Sequence, residues 1–119
     1  MRDIVRQTAR PAAWLLASAV IVLSVVPPYL RPVTDTPHGF EHFAAFFITG
    51  LAFGFGYERR PAVVAIALVV FSGAIEILQI FVPQRHARLS DFLIDTLAVC
   101  AGVVLTSCTA RVLGRASQR

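Results

Sequence analysis

The sequence predicts an all-α fold: an integral membrane four-helix bundle with both termini cytoplasmic. Three observations lead there. Hydrophobic residues make up 56% of the 119 positions and charged residues only 15%, too few charges for the surface of a water-soluble domain. The apolar residues gather in four stretches, roughly 12–29, 40–57, 62–82 and 92–110, each near the ~20 residues that cross a bilayer. The eleven basic residues are all arginines, and they sort by connection. Eight (Arg2, Arg6, Arg10, Arg59, Arg60, Arg111, Arg115 and Arg119) flank the termini and the second connection, against Arg31, Arg85 and Arg88 in the other two. Arginine-rich connections stay in the cytoplasm. The short connections leave room for a single domain, residues 1–119.

The first helix has a basic start and stays apolar through Val26. Ala17-Ser18-Ala19 imitates a signal-peptidase site, but little apolar sequence precedes it, so a retained helix is expected. It carries no ionisable group within its apolar run, and its expected role is packing. Trp14 and Tyr57 fall near the inner interface and Tyr29 near the outer one, where amphipathic rings prefer to sit. The second helix begins near Pro37-His38-Gly39. Its stripe His42, Ala45, Thr49, Ala52, Gly56 is small and polar, while Phe40, Phe43 and Phe47 mark another face. Gly50 and Gly54 form a small-xxx-small pair, read as packing inside one chain, with a homodimer as the alternative. The third helix aligns Ser72, Glu76, Gln79 and Pro83. The fourth has Ser90 or Asp91 as expected N-cap, followed by the stripe Asp91, Asp95, Ala98, Gly102, Thr106, Thr109. Cys100 and Cys108 share this helix ~12 Å apart along its axis, too far to pair.

Polar residues concentrate between Ser72 and Asp95. A charged side chain at the bilayer centre costs ~3 kcal/mol on insertion scales, so such groups face a bundle interior and mark function. Turning the small-and-polar stripes inward brings His42, Glu76, Gln79, Asp91 and Asp95 together, with Arg85 and Arg88 in the adjoining loop. These seven are the candidate site, opening away from the cytoplasm. The structural alternative is a salt-bridge network that only fixes helix order. His38, Glu41, His42 and His86 are metal-ligand types, but no strict zinc spacing appears, so neither metal nor cofactor is expected. Arginines placed at helix ends suit membrane topology rather than nucleic acid.

Val26-Pro27-Pro28, His42-Phe43, Glu76-Ile77-Leu78-Gln79, Arg85 and Ser90-Asp91-Phe92, in this order across nearly the whole chain, resemble the VanZ-like family of small bacterial membrane proteins. Two positions depart from that pattern. The family's Asp-Lys pair before His-Phe is replaced by His38-Gly39-Phe40-Glu41, and Asp95 stands where an Asn is usual. An amide both donates and accepts; an ionised Asp only accepts. The resemblance implies a multi-pass protein of the bacterial cytoplasmic membrane. By analogy with the family's namesake, it also implies a link to glycopeptide resistance.

Three functions fit these residues. One is an outward site for a cell-envelope ligand (a lipid headgroup, lipid-linked precursor or glycopeptide-related molecule), with Arg85 and Arg88 holding a phosphate or carboxylate. Another is an outer-leaflet enzyme using Glu76, His42 and Asp95 in acid–base chemistry. Last comes a proton-coupled transporter or assembly subunit, for which four helices without an inverted repeat are small. The expected partners are membrane lipids, a lipid-linked or anionic ligand, and a second copy of the chain, with no nucleic acid.

Overall fold

The computed structural model describes residues 1–30, 35 and 37–118, with Pro28 and His38 by backbone alone. Arg31, Arg119 and the side chain of His38, all weighed above, lie outside the described residues. The chain forms α1 (Arg2–Val25), a short 3-10 turn, α2 (His38–Gly56), α3 (Pro61–Ile80) and α4 (Leu89–Ala116). The all-α bundle expected from sequence is what forms. Among the described residues, α1, α3 and α4 are long and apolar enough to cross a membrane. Four such spans were expected. α2 falls outside that set, because its first turns carry Glu41 and His42. It packs on all three other helices. A helix sheltered by its neighbours needs less lipid-facing surface.

Hydropathy located the helices better than their ends. α1 starts ten residues before the expected 12–29 stretch and runs straight through Pro11. α4 continues to Ala116 rather than stopping at 110. At 1.5 Å per residue α4 is about 42 Å long, more than the ~30 Å hydrocarbon core, so its arginine-bearing end lies beyond the apolar layer. α1 stops early for a local reason. Val26 precedes a proline and is extended, with φ −67° and ψ 133°, because the proline ring disfavours helical backbone at the preceding residue. α3 opens on Pro61 at its first turn, where no N–H is needed.

Polar contacts fix which ends meet. At one end Arg6 pairs with Glu58 at 2.5 Å, Arg10 Nε donates to the Gly56 carbonyl at 3.0 Å, and Arg2 reaches the Ala110 carbonyl at 3.2 Å. Trp14 Nε1 donates to the Tyr57 hydroxyl at 3.0 Å, and the Arg10 guanidinium lies over the Tyr57 ring. Both expected inner-interface aromatics thus sit in one basic cluster. At the opposite end Arg85 Nη2 donates to the carbonyls of Leu23 and Val26 at 2.8 and 3.1 Å. The helices therefore alternate in direction, with both termini and the α2–α3 turn at the basic end.

The closest packing is between α2 and α4. A Cβ on Gly50 would stand 2.7 Å from the Val99 carbonyl oxygen, and one on Gly102 would stand 2.7 Å from the Phe47 carbonyl oxygen. A Cβ on Gly54 would run into the Thr106 side chain. The Gly50/Gly54 pair thus packs inside the chain, as expected, Gly50 on the α4 backbone and Gly54 on the Thr106 side chain. Ala98, Val99 and Val103 fill this seam, and Ala13, Ala17, Phe46, Phe53, Leu68 and Ile75 extend the core towards α1 and α3. α1 and α3 meet only slightly and leave an apolar groove of about 470 Å³ walled by Trp14, Ile21, Phe53, Leu68 and Phe71.

Gly102→Val is expected to destabilise the fold by about 3 kcal/mol, the upper range for overpacking, since backbone rather than a flexible side chain must yield. Gly114→Ala is the control: its Cβ would meet only Arg2 Nη2, at 3.6 Å, so stability should be unchanged or slightly raised. Reversible unfolding in mixed detergent measures both.

Candidate functional site

Three helices deliver buried polar side chains to the end opposite the basic one: His42 from α2, Glu76 and Gln79 from α3, Asp91 and Asp95 from α4. Asp95 is 0% and Glu76 6% exposed. The stripes explain why. Ser72, Glu76 and Gln79 share the inward face of α3, and Asp91, Asp95, Ala98, Gly102 and Thr106 that of α4. The α2–α4 glycine seam then sets His42 opposite Asp95. Their Nδ1 and Oδ1 atoms are 3.1 Å apart. An ionised Asp95 only accepts, so His42 donates from Nδ1–H. The His42 ring stacks on Phe46, which fixes its plane.

Glu76 completes a trio. One ligand-type atom from each of His42, Glu76 and Asp95 lies within 4.8 Å of the other two. Glu76 Oε2 accepts the Arg88 backbone N–H at 3.3 Å. Its Oε1 is buried and has no hydrogen-bond partner among the described residues. Unmade bonds of this kind are costly in a low-dielectric interior. Three buried hydroxyls are satisfied within their own helices: Thr49 by the Ala45 carbonyl at 2.7 Å, Ser72 by Val69 at 2.8 Å, Ser24 by Val20 at 2.6 Å.

The two loop arginines separate. Arg85 is half-buried and ties the α3–α4 connection to the last carbonyls of α1, groups that a helix end leaves unsatisfied. Together with Glu41, His42 and Gln79 it lines a small crevice of about 60 Å³. The Arg88 side chain is exposed and borders a lateral groove of about 330 Å³. Gly73, Ile77, Ile80 and Phe92 wall that groove, and Glu76 forms its inner edge.

Two expectations need correcting. Ser90 and Asp91 do not cap α4. The helix begins two or three residues earlier, at Leu89, with Arg88 as N-cap and no side-chain capping bond. The Arg88 carbonyl takes the N–H groups of Asp91 and Phe92 at 3.1 and 3.2 Å, which leaves Asp91 inside the first turn, where the helix dipole favours a carboxylate. α1 was expected only to pack, yet its terminal carbonyls hold Arg85. Backbone carbonyls carry no residue signal; only the break before Pro27-Pro28 marks where they become available.

The class these features define is a small all-α membrane bundle with a polar cluster buried at one end. The chain belongs to the VanZ/LLP1 family, whose model matches residues 4–111. No curated protein and no solved structure matches it.

A double-mutant cycle on His42→Ala and Asp95→Ala is expected to give a coupling of about 1 kcal/mol, within the range for interhelical bonds in membrane proteins. Detergent unfolding of the two single variants and the double variant measures it. Zero coupling would mean that the pair does not link α2 to α4.

Proposed function

We propose that this protein binds an amphiphilic cell-envelope molecule, a lipid or lipid-linked precursor, at the outer face of the bacterial cytoplasmic membrane. The observation that carries this reading is the lateral groove between α3 and α4. Its apolar wall (Gly73, Ile77, Ile80, Phe92) ends at a guanidinium, Arg88, and a buried carboxylate, Glu76. An acyl or prenyl chain suits the wall, and an anionic headgroup suits Arg88, whose planar fork pairs with phosphate or carboxylate. The volume falls at the lower end of the roughly 300–1,000 Å³ typical of ligand sites. Arg85 supports the site by tethering the loop to α1, so Arg88 is the anion-binding arginine. The orientation rests on the arginine asymmetry: the basic end faces the cytoplasm and the polar cluster faces out. A role in glycopeptide resistance follows only by analogy within the family.

The second reading is an outer-leaflet enzyme, favoured by the buried His42–Asp95 pair. A carboxylate that orients an imidazole, with Glu76 beside it, is an acid–base arrangement suited to acyl or phosphoryl chemistry.

Native mass spectrometry of the purified chain with phosphatidylglycerol, an undecaprenyl phosphate and phosphatidylcholine tests both. Arg88→Ala should weaken the two anionic lipids about ten-fold, the loss of one charge-assisted contact, and leave phosphatidylcholine unchanged. Gly73→Leu, which fills the groove against Phe92, should weaken all three. Equal binding by wild type and both variants overturns the lipid reading. Conversion of a bound lipid to product, lost in Glu76→Gln, identifies the enzyme.

A further inference from the structure

We propose that His42, Glu76 and Asp95 form a binding site for one divalent transition-metal ion of the Zn2+ or Mn2+ class. No sequence spacing indicates such a site, because each ligand comes from a different helix. The proposal does not depend on the lipid reading.

Geometry is the first support. Two ligands each about 2.1 Å from one ion stand about 3.0–3.4 Å apart at octahedral to tetrahedral angles. His42 Nδ1 and Asp95 Oδ1 are 3.1 Å apart, a spacing that a shared ion keeps when it replaces the shared proton. The Glu76 atom lies within 4.8 Å of both. Its side-chain torsions have several staggered wells through which the carboxylate can approach an ion held by the other two.

An independent observation is the Glu76 carboxylate itself. Its residue is only 6% exposed, and Oε1 has no hydrogen-bond partner among the described residues. This carboxylate oxygen, with no hydrogen bond among the described residues, stands beside a second carboxylate and an imidazole. Buried charges are paired or coordinate metals. A divalent ion with neutral His42 and ionised Glu76 and Asp95 sums to zero formal charge, which suits a low-dielectric interior.

The donor set chooses the metal. One imidazole nitrogen with two carboxylate oxygens suits Zn2+ or Mn2+; Mg2+ and Ca2+ prefer all-oxygen shells, and Cu+ prefers sulfur. The crevice between Glu41, Gln79 and Arg85 reaches His42 from the polar end and offers a route in. Ligation through Nδ1 needs that nitrogen unprotonated, so the ring proton moves to Nε2 and His42 stays neutral. The remaining coordination positions are open to water or to an anionic group.

The full chain, purified in detergent and stripped with chelator, is titrated with ZnCl2, MnCl2 or MgCl2 by calorimetry, with metal analysis after gel filtration. The expected result is one Zn2+ or Mn2+ per chain and no uptake of Mg2+. His42→Gln, Glu76→Gln and Asp95→Asn should each weaken binding at least about ten-fold. Wild type loaded with Co2+ should show visible d–d absorption, a readout that does not depend on any variant folding. Absence of stoichiometric Zn2+ or Mn2+ uptake by wild type overturns the proposal, as does affinity unchanged in all three variants.

Discussion

The close approach of α2 and α4 is the contact on which everything else is built. Lipid tails are as apolar as leucine, so burying apolar surface between helices gains little in a bilayer; dispersion and interhelical hydrogen bonds must hold the bundle. Both scale steeply with distance. Gly50, Gly54 and Gly102 remove the side chains that would hold the two backbones apart. Val99 and Val103 are then buried in the seam. Because the seam fixes rotation as well as distance, it also decides that His42 faces Asp95.

The buried polar end follows from that seam and constrains it in return. A histidine and an aspartate buried in separate positions would each be expensive. Set opposite one another by the glycines, they satisfy each other at 3.1 Å. α3 joins through Glu76, and the loop after it closes the end of the bundle: Arg88 contributes its backbone N–H to Glu76 while Arg85 reaches across to α1. All four helices thus converge on one cluster, although α1 contributes only carbonyl groups. The basic end is held differently, by exposed and half-buried arginines on a carboxylate, a carbonyl and an aromatic ring. That contrast divides the molecule into an anchored end and a chemically loaded one.

Much of this could be read before any coordinates. Stripes of small and polar residues placed His42, Glu76, Gln79, Asp91 and Asp95 on inward faces, because period 3.6 is a strong constraint in a helix that must hide its polar groups. Gly50 and Gly54 were readable for the same reason. Helix ends were less so: hydropathy registers where lipid stops, and α1 and α4 continue past it as ordinary helices in the interfacial region. The start of α4 was misplaced because a serine and an aspartate resemble caps, whereas the Arg88 carbonyl begins the helix. The distinction between Arg85 and Arg88 was not readable at all. Three residues apart in one connection, they part because Arg85 reaches the α1 carbonyls while Arg88 is the N-cap of α4. Convergence of His42, Glu76 and Asp95 was readable from the stripes, but their approach to within 4.8 Å was not, because ligand spacing rules apply within a segment, not across three.

The central claim is that the loaded end faces out of the cytoplasm. Cysteine labelling in intact bacterial cells tests it most directly. In a background with Cys100→Ala and Cys108→Ala, His86→Cys places a thiol in the α3–α4 connection and Arg59→Cys places one in the α2–α3 turn; both sites are exposed. The account predicts that a membrane-impermeant maleimide labels the His86 position in intact cells and the Arg59 position only after permeabilisation. Labelling at Arg59 in intact cells, with His86 protected, would contradict it and place the polar cluster on the cytoplasmic side.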